Sequence, residues 1–379
     1  MGRRRYCLGL IFPWLFCCSI LGQSYSFNIL YAPTKFIKHA KKSTFEAPAY
    51  SQLWQSSLNF HLNGSKHWQR YWNRPTIELN MLYMHFGNDD ILGKAFGCIP
   101  SVRFKLTKVK TIDINFHVGF GGAYLNKKYD KISNPLNNAI GSHWNNVTQF
   151  ALSIERQVYK NFHIAAGGHF THFSNARTAS PNRGINTAGL TFGVIQSFEG
   201  KSDKREGNKF LSDTLEKSGD TVILKRRWGG DFLAGYGISE YSFTGGPKYG
   251  SYFMNVGLSY SISPFLKIIL GGEYEYNQSV YQFYYQDFIP ADEAKQKATK
   301  IASYLAADLA FGKVVFRAQS GYYLPYPELR ENTTPYYIKL NINVYPFPDH
   351  WRLRPYLGIL LKSHVEIAQY MGLVSGVSF

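Results

Sequence analysis

The chain has 379 residues, 17% of them aromatic, with 34 glycines and a mean hydropathy of −0.25. Its formal net charge is +17, from 42 lysines and arginines against 25 aspartates and glutamates. No run beyond the first residues is long enough for a membrane-spanning helix, and low mean hydropathy with abundant aromatics and glycine fits a barrel of alternating strands ringed by aromatic girdles. A large soluble β-sandwich would share that composition, so the strand and loop pattern has to separate the two.

The N-terminus reads as a targeting segment over residues 1–26. Arg3, Arg4 and Arg5 form a basic start, Leu8 to Gly22 an apolar stretch interrupted by Pro13, and Ser24-Tyr25-Ser26 a small-x-small cleavage site. The alternative, a membrane anchor, is disfavoured because the apolar run is short for about 30 Å of hydrocarbon. Removal would take Cys7, Cys17 and Cys18 and leave Cys98, so one chain could build neither a disulfide framework nor a cysteine metal site. Cys18 lacks the small residues that usually precede a lipoprotein cysteine.

Alternating segments follow. They begin at 27–37, 49–61, 75–86, 95–106, 111–123 and 146–158, and continue through 161–174, 186–199, 228–240, 249–262, 265–277, 300–311, 313–323, 333–345, 352–362 and 366–379. The links alternate in length. They are short at 107–110, 159–160, 263–264, around Gly312 and at 346–351, and long and polar at 87–94, 126–143, 175–185, 278–299 and 324–332. Short inner turns and long outer loops are the pattern of an all-β, antiparallel transmembrane β-barrel of the outer membrane, with an even count of about 14 to 16 strands.

The segment 161–174 carries the chemistry. One face presents Phe162, Ile164, Ala166, Gly168, Phe170, His172 and Ser174, and the other His163, Ala165, Gly167, His169, Thr171 and Phe173. Residues i and i+2 of a strand share a face, so His172 and Ser174 stand side by side, a base beside a nucleophile. In 186–199 the corresponding face carries Asn186, Ala188, Leu190, Phe192 and Val194. In a membrane barrel this more apolar face points outward, and a polar group facing lipid near a strand end implies a lipid substrate. His169 and His172, three apart, face opposite ways and cannot share a metal. No phosphate loop, zinc spacing or nucleotide motif stands out.

Past the polar connector 200–227, alternation resumes. Tyr252, Met254, Val256, Leu258 and Tyr260 share one face, while Lys267, Glu273 and Glu275 fall on the opposite, inward face of the next strand. The last strand ends on Phe379, on one face with Val377, Leu373, Met371 and Ile367, resembling the signal read by the barrel-assembly machinery of Gram-negative bacteria. The domain reading is a signal peptide at 1–26, a first barrel half at 27–199, the connector, and further strands of the same barrel at 228–379. A separate small second barrel is the other possibility. For an exported barrel a basic surface points away from nucleic acid and toward an anionic lipid, and Lys35, Lys38, Lys41, Lys42, Lys127 and Lys128 lie in or beside outer loops. Each cluster also reads as solvated loop charge.

His172-Phe173-Ser174-Asn175 and Pro181-Asn182-Arg183-Gly184-Ile185-Asn186 carry a family likeness. It is supported by Ile91-Leu92-Gly93-Lys94-Ala95, Gly119-Phe120-Gly121-Gly122-Ala123-Tyr124-Leu125 and Ala139-Ile140-Gly141-Ser142-His143. From Tyr31 to Phe198 the chain resembles the lipid A 3-O-deacylase family (PagL), and especially its longer relatives, the acyloxyacyl hydrolases of Bacteroidetes. The resemblance implies Ser174 as the nucleophile on an acyl ester of lipid A, His172 as general base, and Asn182 as an oxyanion donor. No metal or organic cofactor is implied, and the partners are lipopolysaccharide and the outer membrane. Asn186 departs from the family, which has a glutamate there to orient the histidine. An amide can fix the imidazole tautomer without supplying charge, so a working Ser-His-Asn triad, a carboxylate from elsewhere and an inactive barrel all stay open. Asn175 reads mainly as a strand-end residue that could support the site. In a different functional class, the chain would be a diffusion channel or structural barrel, with Lys267, Glu273 and Glu275 lining a polar lumen.

Overall fold

Period-two alternation becomes strands throughout the computed structural model, which describes residues 24–37, 44–198, 227–240, 244–324, 334–347, 351–364 and 367–379. The first eight strands are β1 (Tyr25–Ile37), β2 (Ser51–His61), β3 (Thr76–His85), β4 (Lys94–Val109), β5 (Ile112–Leu125), β6 (Trp144–Tyr159), β7 (Phe162–Ser174) and β8 (Ile185–Phe198). The second eight are β9 (Trp228–Glu240), β10 (Lys248–Ser263), β11 (Leu266–Asn277), β12 (Thr299–Phe311), β13 (Val314–Tyr323), β14 (Tyr336–Val344), β15 (Arg354–His364) and β16 (Ile367–Ser378). Among the described residues, three short helices interrupt the links: α1 (His67–Tyr71), α2 (Gln278–Gln286) and α3 (Ala291–Ala298).

Sixteen strands fall within the expected number, but they close as two barrels of eight, not as one wider barrel. β8 returns to β1, from Tyr25 opposite Phe198 to Ile37 opposite Asn186. β16 returns to β9, from Ser378 opposite Asp231 to Met371 opposite Ile238. The expected half at 27–199 is therefore a complete barrel, and the strands of 228–379 form a second one. Eight strands leave an interior that side chains can fill, and both interiors are filled. In sequence, the long link from Phe198 to Trp228 falls where one closed sheet ends and the next begins. Residues 1–23 of the expected targeting segment, Lys38, Lys41, Lys42, 200–226 of the connector and 325–332 lie outside the described residues. β1 already runs from Tyr25, and Ser26 is buried, accepting a hydrogen bond from Asn59 Nδ2 at 3.1 Å.

In the first barrel the lumen near the long loops is apolar. Leu53, Met84, Phe86, Leu125, Val147, Phe173 and Ile185 pack together, with the Phe86 and Phe173 rings edge to face at 5.4 Å. Toward the turns it is polar. Arg103 reaches Glu78 at 3.2 Å and Glu155 at 2.5 Å, and His117 Nδ1 lies 3.0 Å from Glu78.

The second lumen is held by ions. Buried Arg317 meets Asp308 at 2.6 Å and Asp231 at 2.7 Å, Lys339 meets Glu273 at 2.7 Å, and Lys362 meets Glu275 at 2.6 Å. Lys267 pairs with Asp308 at 3.4 Å. Lys267, Glu273 and Glu275 face the lumen, as their parity indicates, but the channel alternative does not fit them, since they belong to this packed ion-pair network. The outer walls of both barrels are apolar, with Leu152, Leu190, Phe192, Val256, Leu258 and Leu270 exposed, as on a wall that faces hydrocarbon.

The barrels touch at both ends. At the turn end, Trp72 after α1 donates to the Ala310 carbonyl at 2.9 Å and stacks on Phe311, while Tyr71 packs on Phe265. At the loop end, the Glu240 N–H donates to the Arg177 carbonyl at 2.9 Å, and the Ser180 N–H donates to the Glu240 carboxylate. The link carrying Arg177 and Ser180 is the one that follows Ser174.

Candidate active site

Parity and register bring the candidate residues together on the outside of the first barrel. Along β7, His169, Thr171 and Phe173 are buried in the lumen, which leaves His172 and Ser174 on the outer face, as expected. Opposite them, β8 places Asn186 against His172, and β6 places Thr148 against His172 and Asn146 against Ser174. Paired residues share a face, so five polar side chains form one outward patch at the loop end, above the apolar belt. His169 faces inward, away from it.

The contacts assign roles. His172 Nδ1 lies 2.5 Å from Asn186 Oδ1. A carbonyl oxygen only accepts, so Nδ1 carries the proton and Nε2 is the basic nitrogen. Ser174 Oγ is 2.9 Å from Asn182 Nδ2, which can donate to it. Asn182 Oδ1 accepts the Asn175 N–H at 2.9 Å and lies 3.2 Å from Ser174 Oγ, which can donate to it, so both ends of the Asn182 amide meet the serine. A second donor, the Ala176 N–H, is 3.2 Å from Ser174 Oγ. Two donors thus converge on the Ser174 hydroxyl oxygen.

The link 175–184 holds this arrangement. Ala176 and Arg177 both take positive φ, 53° and 64°, a turn that costs L-residues about 1–2 kcal/mol each. Asn175 anchors it. Its Nδ2 donates to the Ala179 carbonyl at 2.9 Å, and its own carbonyl accepts from Thr178 Oγ1 at 2.9 Å and Thr178 N at 3.1 Å. Its part is that of a structural strand-end residue. Gly184 closes the link at φ +76°, and a Cβ there would sit 2.7 Å from His172 Cε1 and 3.1 Å from the Phe173 carbonyl. The link is also stitched to 126–143, with Ile140 bridged to Asn182 and the Gly184 N–H donating to the Ala139 carbonyl at 3.0 Å.

Asn146, Thr148 and Glu240 were not singled out from sequence. Thr148 Oγ1 donates to Asn146 Oδ1 at 3.0 Å. Reading β6 by parity would have shown two polar residues on an outward face. Glu240 had no such signal, because it arrives from the second barrel. Its carboxylate accepts from the Ser180 N–H, while Asn186 occupies the orienting position at His172 Nδ1.

Residues 54–194 match the family model described as lipid A 3-O-deacylase (PagL). Solved structures similar to the chain include the outer membrane enzyme PagL, at 17% identity over 44% of this chain and 97% of that one, with a TM-score of 0.32. Neisserial surface protein A (NspA) aligns at 10% identity over 46% and 97%, with a TM-score of 0.32. CdiB from Acinetobacter baumannii aligns at 9% identity over 94% and 60%, with a TM-score of 0.18. No curated protein matches the chain. The matched residues contain all of His172, Ser174, Asn175, Asn182 and Asn186, and the first barrel thus carries, over 54–194, the resemblance to the lipid A 3-O-deacylases that its motifs indicated.

Proposed function

We propose that this chain is an outer-membrane hydrolase that removes an ester-linked acyl chain from lipid A at the outer face of its first barrel. The observation that carries the reading is the 2.5 Å contact of His172 Nδ1 with Asn186 Oδ1, on the same outward face as Ser174. An apolar wall facing lipid has no structural need for a base held in one tautomer beside a hydroxyl. The family match over 54–194 supplies the substrate class.

In the proposed reaction Ser174 Oγ attacks the ester carbonyl carbon while His172 Nε2 takes its proton. Asn182 Nδ2 and the Ala176 N–H stabilise the oxyanion. Collapse breaks the bond to the sugar oxygen, which leaves with the proton from His172. Water, deprotonated by the same imidazole, then releases the fatty acid from Ser174. Asn186 fixes the tautomer and orientation of His172 but gives the imidazolium no countercharge, unlike the glutamate of the family pattern. The reaction needs no metal or organic cofactor.

Export rests on the N-terminal segment read at 1–26. Insertion follows from the terminal strand, where the Phe379 ring packs over Gly230 and its N–H donates to the Gly230 carbonyl at 3.0 Å. A fluorophosphonate ester offered to the purified protein tests the nucleophile. The expected result is a covalent adduct on the peptide containing Ser174 that disappears in His172→Ala. Absence of any adduct from a folded barrel would reject the reading.

A further inference from the structure

Above the site, the loop ends of the two barrels enclose a cleft of about 770 Å³. The first barrel contributes Lys128, Lys131, Trp144 and the link residues Thr178 to Ser180, and the second contributes Glu240 and Lys248. Two of its lining residues, Trp144 and Ser180, lie close in the chain to residues that contact or pair with Ser174. Trp144 stands on β6 two residues from Asn146, the partner of Ser174, so the cleft wall lies one pleat, about 7 Å, beyond the serine. Ser180 is two residues from Asn182, whose amide contacts Ser174 Oγ.

The charges of the cleft are unequal in availability. The Glu240 carboxylate is taken by the Ser180 N–H. The Asp130 carboxylate accepts the Ile132 and Ser133 N–H groups at 2.9 and 2.8 Å, and these bonds hold its pKa below the ordinary carboxylate value. Lys128, Lys131 and Lys248 form no ion pair within 4 Å among the described residues, although Lys128 acts on Asp130 and Lys248 stands opposite Glu240 across β9 and β10. Three cations against two carboxylates, with an exposed indole, thus line the cleft beside the proposed site. A phosphate accepts several charge-assisted hydrogen bonds from such ammonium groups, and an exposed Trp at a membrane interface offers a flat apolar face to a sugar ring.

The geometry points to this inter-barrel cleft as the binding site for the phosphorylated sugar headgroup of the substrate lipid, with the second barrel supplying Lys248 as one of its cations. The assignment deepens the hydrolase reading and rests on it for the direction in which the acyl chain leaves the headgroup. The second barrel then has two parts: it braces the catalytic link through Glu240, and it completes the headgroup site.

The test is calorimetric titration of the full chain in detergent micelles with a soluble, fully deacylated, bis-phosphorylated glucosamine disaccharide. Lys131→Ala/Lys248→Ala should weaken its affinity about ten-fold, the loss expected for charge-assisted contacts at a partly exposed site. Ser174→Ala should bind it as wild type does, so the result does not depend on catalysis. Removing the phosphates from the disaccharide should weaken binding to wild type and leave the lysine variant little changed. Equal affinity of wild type and lysine variant for the disaccharide would overturn the proposal, as would inorganic phosphate binding as tightly as the disaccharide. Loss of neutral-ester hydrolysis in Ser174→Ala, measured alongside, reports separately on the hydrolase reading.

Discussion

The two barrels share strand number, closure and inward ion pairs, but the first adds a polar patch on its outer face. In the second, Arg317, Lys339, Lys362 and their carboxylates point inward, where each cation meets an anion within 3 Å. In the first, the loop-end lumen is apolar, and polar side chains crowd the outer face at His172, Ser174 and Asn186. A satisfied inward ion pair is explained by holding a fold together. The outward imidazole, held by Asn186 at the loop end, takes no part in either lumen. On the proposed reading, the contrast assigns chemistry to one barrel and support to the other.

Removing the nucleophile should break the comparison most visibly. Ser174→Ala or His172→Ala should lower acyl-ester hydrolysis by about 10³-fold or more, as for members of a nucleophile–base pair. Heat-induced gel mobility should show both variants still folded, and retention of activity in either would remove the site from β7. Arg317→Ala should act the other way round. Leaving Asp231 and Asp308 buried without their guanidinium should destabilise the second barrel by about 3–5 kcal/mol, read as an earlier urea midpoint. An equal midpoint would show that the inner network is not structural.

Asn182→Ala removes one oxyanion donor and should lower kcat by about 10²-fold with little change in KM. A rise in KM alone would make Asn182 a binding residue. The smallest effect sharpens the account of the departure at Asn186. Asn186→Glu should restore charge behind His172 and raise kcat about ten-fold, whereas Asn186→Ala should lower it by releasing the tautomer. A slower Asn186→Glu enzyme would mean that the surrounding pocket is built for the amide.

Most strands were legible because alternation is a local property: Tyr252, Met254, Val256 and Leu258 face out, and Phe253 and Asn255 face in, as read from the chain. Closure was not legible. Whether Phe198 returns to Tyr25 or the sheet runs on into Trp228 is a pairing across many residues, which periodicity does not encode. The polar stretch 278–299 reads as loop from its composition, although Asn277 caps α2 through Ser279 and Val280 and α3 begins with Asp292 and Glu293. In the site, His172, Ser174 and Asn186 were visible because two adjacent strands carry them. Glu240 and Lys248 were not, since only the docking of the second barrel brings them near.

The most direct measurement is mass spectrometry of lipid A from Gram-negative cells making the full chain or its Ser174→Ala form. The account expects loss of one ester-linked acyl chain with Ser174 intact and none with the variant, at equal amounts of folded barrel. Identical lipid A from both, or the same loss from both, would contradict it.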